Sequence, residues 1–294
     1  MSRSFTLLEL LVVITIIGIL TSIVVVSMSG STDSANIVKG KAYTQQVQAL
    51  LGHETVGMWN FDEGSDDTCY DISGYGNDGT INKGANGTGL EWVDSDIEGS
   101  ALQFDGVDDG VYIGNPIALR QMSMFSVEAW VNFSALTGTY EGRTIFNKGS
   151  NGGVGTLWIY YNGSSNRLYV ELDKIAPYYS WTPVLGQWYH VLITYNSENI
   201  RWYLNGILVK TYASSEKLFN NTADAIIGRY QSSYTHCFNG LIDEVHIYTE
   251  ALPSTEIQKY YVQGLEKILA NQGITQAEYS QRMEEFNQFL VSNS

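Results

Sequence analysis

Basic residues, proline and cysteine are all scarce in this sequence. Lysine and arginine total 16 against 31 acids, and the resulting net charge of −15 is repelled by phosphate backbones, so nucleic acid is not an expected partner. Four prolines beside 29 glycines and 13% aromatic residues favour a twisted antiparallel β domain with many turns. The two cysteines, Cys69 and Cys237, carry little information until the compartment is known.

Common catalytic patterns are also missing from the sequence. No nucleophile motif or phosphate-binding loop stands out, and the four histidines lack the spacing of metal ligands: His53, His190, His236 and His246. The acids, in contrast, crowd the loop from Asp62 to Asp78. Loops rich in carboxylates suit a hard cation such as Ca²⁺, so a calcium site is one expectation.

The longest apolar run lies at the N-terminus, from Phe5 to Met28. It is long enough to cross a bilayer core of about 30 Å, and Arg3 before it favours a cytoplasmic N-terminus. A signal peptide fits poorly because the run is longer than its usual apolar region and contains Glu9 near its start. A carboxylate at that depth costs about 2.5–3.5 kcal/mol on insertion scales and therefore indicates a function.

The start of this run, Phe5-Thr-Leu-Leu-Glu9, resembles the N-terminus of type IV prepilins and pseudopilins. The resemblance implies that a prepilin peptidase cuts after Ser4 and that the new Phe5 amine is methylated. It further implies that Glu9 of one subunit pairs with the Phe5 amine of a neighbour, which sets the register of a growing filament. Ser4 stands where that family usually has glycine before the cut.

Composition divides the chain into five segments. Residues 1–4 would be the leader and 5–28 the membrane and assembly helix, and apolar residues at helical spacing continue that helix amphipathically over 29–52. Short runs rich in Val, Ile, Tyr and Trp, separated by turn residues, predict an antiparallel β-sandwich over 53–254. Residues 255–294 predict a helical hairpin, with Thr275 and Glu278 as a capping box.

The order of the β runs resembles the LamG-like jelly roll of the concanavalin A-like lectin superfamily. The resembling segments are WNFDE (59–63), DISG (71–74), ALQFDG (101–106), FSVEAW (125–130), WYHVLITY (188–195), YLNG (203–206) and GLIDEV (240–245). The fold class expected is therefore mainly β, with a long pilin-type helix before the sandwich and a short helical hairpin after it.

The LamG-like resemblance implies further sites. Asp71, Asn77 and Asp243 match a structural Ca²⁺ site of that family, although Asp71 and Asn77 also lie in turn-forming sequences. In this fold the first and last strands are neighbours, so a Cys69–Cys237 disulfide is expected if the head is exported.

Carbohydrate binding is the best-known activity of the superfamily. Tyr178, Tyr179 and Trp181 follow Pro177 in a segment that reads as a loop, and they are the first choice for exposed stacking residues. An enzyme is the alternative, because Glu171 and Asp173 begin the carboxylate pattern of sandwich glycosidases. No further glutamate completes that pattern, so catalysis is not expected.

The sequence as a whole predicts a minor type IV pilin-like subunit that displays a LamG-like head for glycan or surface adhesion. It would cross the inner membrane once before assembly and then present its head on a pilus at the cell surface. Its expected partners are prepilin peptidase, other pilin or pseudopilin subunits, a glycan or cell-surface ligand, and the membrane through the N-terminal helix. A pseudopilin of a type II secretion-like system and a membrane-tethered carbohydrate-active enzyme are the alternatives.

Overall fold

A computed structural model describes residues 55–85, 89–120, 122–137, 142–149, 155–216, 221–231 and 236–292. All of them belong to one compact unit. The predicted leader, membrane helix and amphipathic continuation lie outside the described residues. Within the described ranges no helix is both long and apolar enough to cross a membrane.

The described residues form sixteen strands, one 3-10 helix (Ile117–Leu119) and two α-helices. The strands are β1 Thr55–Trp59, β2 Thr68–Cys69, β3 Gly79–Asn82, β4 Glu91–Asp94, β5 Ser100–Asp105, β6 Gly110–Gly114, β7 Phe125–Phe133, β8 Gly142–Lys148, β9 Leu157–Asn162, β10 Arg167–Leu172, β11 Tyr178–Ser180, β12 Trp188–Tyr195, β13 Asn199–Leu204, β14 Ile207–Ala213, β15 Ala225–Ile227 and β16 Asn239–Tyr248. The helices are α1 Ser254–Ala270 and α2 Gln276–Ser292.

These strands form two antiparallel sheets. The first sheet has the order β14-β13-β12-β7-β16-β5-β4, with β1 also paired to β16, and the second has the order β11-β10-β9-β8-β15-β6-β3-β2. The predicted Asn205-Gly206 turn joins β13 to β14, and both of its residues take positive φ, 50° and 72°. A turn of that kind matches the twist of the strands it connects.

The sandwich core lies between the sheets, where alternate residues of each strand point inward. In β7, Val127 lies opposite Ile193 of β12 and Ile247 of β16, and all three side chains belong to this core. The second sheet contributes the inward residues of β9 and β10: Leu157, Ile159, Tyr161, Leu168, Val170 and Leu172.

The two helices cover the outer face of the first sheet. Trp130 and Trp188, which point outward from β7 and β12, are buried in a second apolar cluster with Tyr261, Leu265 and other helix residues. The rings of Trp130 and Tyr261 stack with centroids 6.1 Å apart and planes inclined by 17°. A Cβ on Gly264 would lie 2.3 Å from the Trp130 ring, so only glycine lets α1 approach this closely.

The helix ends follow from local sequence. At the end of α1, Gly273 N–H donates to the Ile268 carbonyl at 2.9 Å. At the start of α2, Thr275 Oγ1 accepts a hydrogen bond from the backbone N–H of Glu278 at 3.2 Å. The fold class predicted from sequence, an antiparallel sandwich with C-terminal helices, is confirmed; the N-terminal pilin-type helix lies outside the described residues.

Candidate functional site

The outer face of the second sheet carries a row of aromatic rings. Because side chains alternate along a strand, Trp158 and Tyr160 of β9 and Tyr169 of β10 point away from the core that their neighbours fill. In the strand register, Tyr169 lies opposite both Tyr160 and Tyr178 of β11. We call Trp158, Tyr160, Tyr169 and Tyr178 the aromatic strip.

The rings of the strip follow one another at contact distance. The centroids of Trp158 and Tyr160 are 3.8 Å apart, those of Tyr160 and Tyr169 are 5.0 Å apart and those of Tyr169 and Tyr178 are 5.3 Å apart. The planes of Tyr160 and Tyr169 are inclined by only 6°. The three tyrosines are half-buried, whereas Trp158 is 4% exposed. The strip is therefore ordered by ring stacking yet accessible over most of its length.

The buried end of the strip is held by hydrogen bonds and further rings. Trp158 donates its Nε1–H to Thr144 Oγ1 at 2.9 Å, and its ring lies 4.4 Å from that of Tyr230 and 5.2 Å from that of His236. These contacts fix the orientation of Trp158. Because the Tyr160 ring stacks on Trp158, the orientation of Tyr160 is fixed as well.

The opposite end of the strip carries positive charge. The Arg167 guanidinium lies 3.9 Å above the Tyr178 ring, and Lys210 Nζ lies 5.0 Å from the same ring. Arg167 Nη1 also donates to the Tyr169 hydroxyl at 3.3 Å, and Lys210 donates to the Tyr178 carbonyl. This end can therefore bind an anionic group while the rings pack against a flat apolar surface.

A carboxylate adjoins the strip near its buried end. Glu171 of β10 lies opposite Trp158 and is 9% exposed. Burial, with the Glu171 charge second, raises the pKa of Tyr160 above its ordinary value. The Tyr160 hydroxyl therefore remains a neutral hydrogen-bond donor at neutral pH.

Asp173, the second carboxylate of the incomplete glycosidase-like pattern, does not share a strand face with Glu171. The strand ends at Leu172, and Asp173 takes a left-handed φ of 51° in the following turn. Its Oδ1 accepts the Gly155 N–H at 3.0 Å, and its own N–H donates to the Thr156 carbonyl. Two residues apart on one continuous strand, the two carboxylates would share a face, and the turn at Asp173 prevents this.

Of the three stacking residues predicted from sequence, only Tyr178 lies in the strip. Tyr179 and Trp181 are half-buried and pack against the sandwich core, where Trp181 meets Phe133 and Tyr189 edge-on. The segment forms an edge strand rather than a loop, and alternation along that strand separates Tyr178 from Tyr179. Two other residues of the strip, Trp158 and Tyr169, were not predicted from the sequence, and neither was Arg167. The alternation of inward and outward residues in LWIYY and RLYVEL is the pattern that could have identified them.

The predicted calcium ligands divide into two places. Asp71 Oδ1 accepts the N–H groups of Met58 and Ser73 at 3.0 and 2.9 Å, and its Oδ2 accepts the N–H of Asn77 at 3.0 Å. Asp71 and Asn77 therefore organise a turn together. The third predicted ligand, Asp243, is bonded elsewhere, and the three-residue site remains a prediction.

Asp243 is fully buried on β16. Its carboxyl accepts from Ser95 Oγ at 2.5 Å and from the Glu244 N–H at 2.7 Å. Burial, with the Glu244 charge second, raises the pKa of Asp243 well above its ordinary range. This carboxyl lies next to an ionic cluster on the first sheet.

That cluster of buried ionic side chains was not predicted from sequence. Glu128 of β7 pairs with His190 at 2.8 Å and with His246 at 3.3 Å, and His246 pairs in turn with Glu244 at 3.3 Å. Lys267 of α1 pairs with Glu244 at 2.9 Å, which ties the helix to the sheet. Only Glu244 and His246 are close in sequence, because four segments supply the cluster: β7, β12, β16 and α1.

The charges of this cluster support one another. Burial alone would raise the pKa of Glu128, but its bonds to His190 and His246 lower it to about 2. Burial alone would lower the pKa of His246, but its bonds to Glu128 and Glu244 raise it to about 9. His246 is therefore a charged link between two carboxylates at neutral pH.

The two cysteines lie in different elements: Cys69 is on β2 of the second sheet, and Cys237 is in the connection between β15 and β16. Cys69 pairs with Gly79 of β3, whereas Cys237 Sγ donates to the Val107 carbonyl, in the turn before β6, at 3.2 Å. Both are free and buried, so the predicted disulfide is not formed in this structure. The first and last strands are neighbours in the first sheet, but neither cysteine belongs to those strands.

The residues predicted for prepilin processing and assembly, Ser4, Phe5 and Glu9, lie outside the described residues. Their assignment depends on sequence similarity alone.

The fold is that of a lectin-like β-sandwich. A family model of the concanavalin A-like lectin/glucanases superfamily matches residues 105–258, and the chain belongs to this family. A second model, the prokaryotic N-terminal methylation motif, matches residues 1–25. Both resemblances seen in the sequence are confirmed. No curated protein matches the chain.

Solved structures of low sequence identity share this fold. Domain 4 of AbnA, an extracellular arabinanase from Geobacillus stearothermophilus solved with arabinotriose, is 22% identical with a TM-score of 0.54, and the match covers 70% of this chain and 98% of that one. A Trypanosoma rangeli sialidase mutant displaying trans-sialidase activity is 18% identical with a TM-score of 0.55, and the match covers 73% of this chain and 33% of that one. The binding domain of botulinum neurotoxin serotype G is 17% identical with a TM-score of 0.55, and the match covers 70% of this chain and 50% of that one.

Proposed function

We propose that this protein is a type IV pilin-like subunit, a minor one, whose β-sandwich head binds a glycan through the aromatic strip. The observation that carries the binding role is the strip itself: three half-exposed tyrosines in register on neighbouring strands. A partly exposed tyrosine has an apolar ring face and a polar hydroxyl at its edge. A sugar ring also has an apolar face and polar edges, so the two can stack and form hydrogen bonds.

The positive end of the strip narrows the ligand class. Arg167 and Lys210 lie against Tyr178 in a chain whose net charge is −15. Positive groups placed at one end of a binding face, in an otherwise acidic protein, favour a ligand with an anionic substituent there. We therefore expect glycans with acidic groups to bind better than neutral ones.

The assembly role follows from the methylation motif over residues 1–25. The motif supports processing by prepilin peptidase before Phe5 and assembly with other pilin subunits. In this scheme Glu9 pairs with the Phe5 amine of a neighbour, the chain crosses the inner membrane before assembly, and the head then faces the outside of the cell.

Glycan binding can be tested on an array with the detergent-solubilised full-length protein. Tyr169 lies in the middle of the strip, so Tyr169→Ala removes its contact with Tyr160 and Tyr178. We expect affinity to fall roughly tenfold, because a stacked ring contributes about 1–1.5 kcal/mol. Tyr212→Ala is the matched control, since Tyr212 is 39% exposed on β14 of the first sheet. Unchanged binding by Tyr169→Ala would reject the strip as the ligand site.

An enzymatic role has one observation in its favour, the Glu171 carboxylate beside Trp158. Retaining glycosidases need two carboxyl groups about 5–5.5 Å apart on one face. Asp173 cannot supply the second from its turn, so we propose binding without hydrolysis. Release of sugar from an array-positive glycan, abolished by Glu171→Gln, would overturn this part of the proposal.

The assembly role is tested separately in cells. Glu9→Ala should leave the protein in the membrane but remove it from surface filaments, because the Phe5 amine of the neighbouring subunit loses its carboxylate. Filaments that form normally with this variant would contradict the assembly role. Loss of protein secretion, with surface filaments unaffected, would instead favour the secretion pseudopilin.

A further inference from the structure

The turn between β5 and β6 brings three aspartates together. Asp105 ends β5, and Asp108 and Asp109 immediately precede β6. The turn is tight because Gly106 takes a φ of 82° and Asp105 Oδ1 accepts the Val107 N–H at 2.7 Å. One carboxylate oxygen from each aspartate lies within 4.8 Å of the others. Oxygens that share a Ca²⁺ ion at 2.3–2.6 Å are at most about 5 Å apart, so the spacing suits one ion.

Two of these carboxylates are buried and incompletely bonded. Asp108 is 4% exposed and Asp109 is fully buried. Asp108 Oδ2 accepts the Ala85 N–H at 2.7 Å, and Asp109 Oδ2 accepts the Asp105 N–H at 3.0 Å. Among the described residues, no donor reaches Oδ1 of either side chain. A buried carboxylate oxygen without a partner is costly, and a bound cation would remove that cost.

Glycines allow the backbone to close over these carboxylates. A Cβ on Gly84 would lie 1.9 Å from Asp108 Cγ, and a Cβ on Gly89 would lie 2.4 Å from Asp105 Oδ2. Both glycines also have positive φ, 68° and 128°. The acids are therefore enclosed by main chain rather than spread on an open surface.

The neighbouring cationic side chain contacts the main chain of this turn. Arg229 Nη1 donates to the Asp108 carbonyl at 3.0 Å, and the guanidinium lies 5.0 Å from the Tyr112 ring. The nearby Cys237 thiol donates to the Val107 carbonyl. The side-chain atoms that face one another are carboxylate oxygens, which suits a hard cation and not a soft one.

We propose that Asp105, Asp108 and Asp109 bind one Ca²⁺ ion. This site is independent of the proposed glycan binding and differs from the set of Asp71, Asn77 and Asp243 expected from sequence. The ion would join the β5–β6 turn to the backbone at Gly84 and Gly89. Calcium would therefore stabilise this edge of the sandwich.

The experiment uses the full-length protein in detergent after dialysis against EDTA. Calcium chloride is titrated by calorimetry, with magnesium chloride in parallel, and thermal unfolding is recorded with and without each ion. We expect one Ca²⁺ to bind per chain, to raise the melting temperature and to bind more tightly than Mg²⁺. No binding heat and no change in melting temperature for the wild-type protein would overturn the proposal.

Variants separate this site from others. The double variant Asp108→Asn/Asp109→Asn should lose the Ca²⁺ response, whereas Asp67→Asn should keep it, because Asp67 is an exposed acid that pairs with Lys83. In EDTA the double variant should melt no lower than the wild type, because it removes unpaired charge; this checks that it folds. A response that survives in the double variant, or that Asp243→Asn alone abolishes, would reject the site.

Discussion

The outer faces of the two sheets differ in what covers them. On the first sheet, helices α1 and α2 bury Trp130 and Trp188 to 2% and 3% exposure. On the second sheet, no helix among the described residues packs against the aromatic strip, and its tyrosines stay half-exposed. Similar outward aromatics thus form an apolar core on one face and an accessible platform on the other. Aromatic content alone therefore does not identify a binding face.

The two faces also use charge differently. On the covered face, Glu128, His246 and Glu244 form buried pairs that link sheet and helix. On the strip, Arg167 and Lys210 lie over the Tyr178 ring. Buried pairs of the first kind affect stability when broken, whereas cations of the second kind are available to a ligand.

The largest effect is expected from removing an aromatic ring on the covered face. Trp130→Ala should lower the free energy of unfolding by about 3–5 kcal/mol, because it leaves a cavity beneath α1. Urea denaturation followed by circular dichroism measures this. Tyr169→Ala on the strip is the comparison variant, and its loss should be smaller by at least half. Equal losses for the two variants would remove the distinction between the faces.

A slightly smaller effect is expected from Glu128, which is 2% exposed. Glu128→Gln keeps the shape but leaves His190 and His246 facing a neutral group, so unfolding should become easier by about 3 kcal/mol. Glu91→Gln on the exposed side of β4 serves as the control. If both substitutions have the same small effect, the buried pairs do not hold the covered face together.

The same cluster predicts the pH dependence of stability. The pKa of Glu128 is lowered from 4.5 to about 2, so its contribution is complete above about pH 4.5 and is lost as the pH falls toward 2. The pKa of His246 is raised from 6.5 to about 9, so its contribution is complete below about pH 6.5 and is lost as the pH rises through 9. Melting curves from pH 3 to 10 should show both losses, and Glu128→Gln should flatten them. A flat wild-type profile would contradict this assignment.

The smallest effect is expected from the cation over Tyr178. Arg167→Gln should weaken binding of an acidic glycan roughly two- to fivefold, with little change in stability. Arg201→Gln on β13 of the first sheet is the control. The loss should shrink at high salt, since an exposed charge is screened. Unchanged selectivity between acidic and neutral glycans would argue against the anionic end of the site.

Local features of the fold could be predicted from sequence because short segments encode them. The alternation of apolar and polar residues predicted the strands. Asn205-Gly206 predicted a hairpin turn, and Thr275 followed by Glu278 predicted the start of a helix. Two residues of the strip could also be predicted from the sequence. Tyr160 and Tyr178 each alternate with apolar neighbours along their own strands. Alternation shows that a strand has two faces, but it does not show which of them a distant segment will cover.

Short-range patterns in the sequence are enough to identify the strands, the family and the N-terminal methylation motif, because each depends on residues close together in the chain. The remaining features depend on the tertiary structure. It separated Tyr178 from Tyr179 and Trp181, turned Asp173 away from Glu171, left Cys69 and Cys237 apart and joined Glu128 to His246. Each of these outcomes depends on strand register and on packing between segments far apart in sequence, where a single residue of offset moves a side chain to the opposite face.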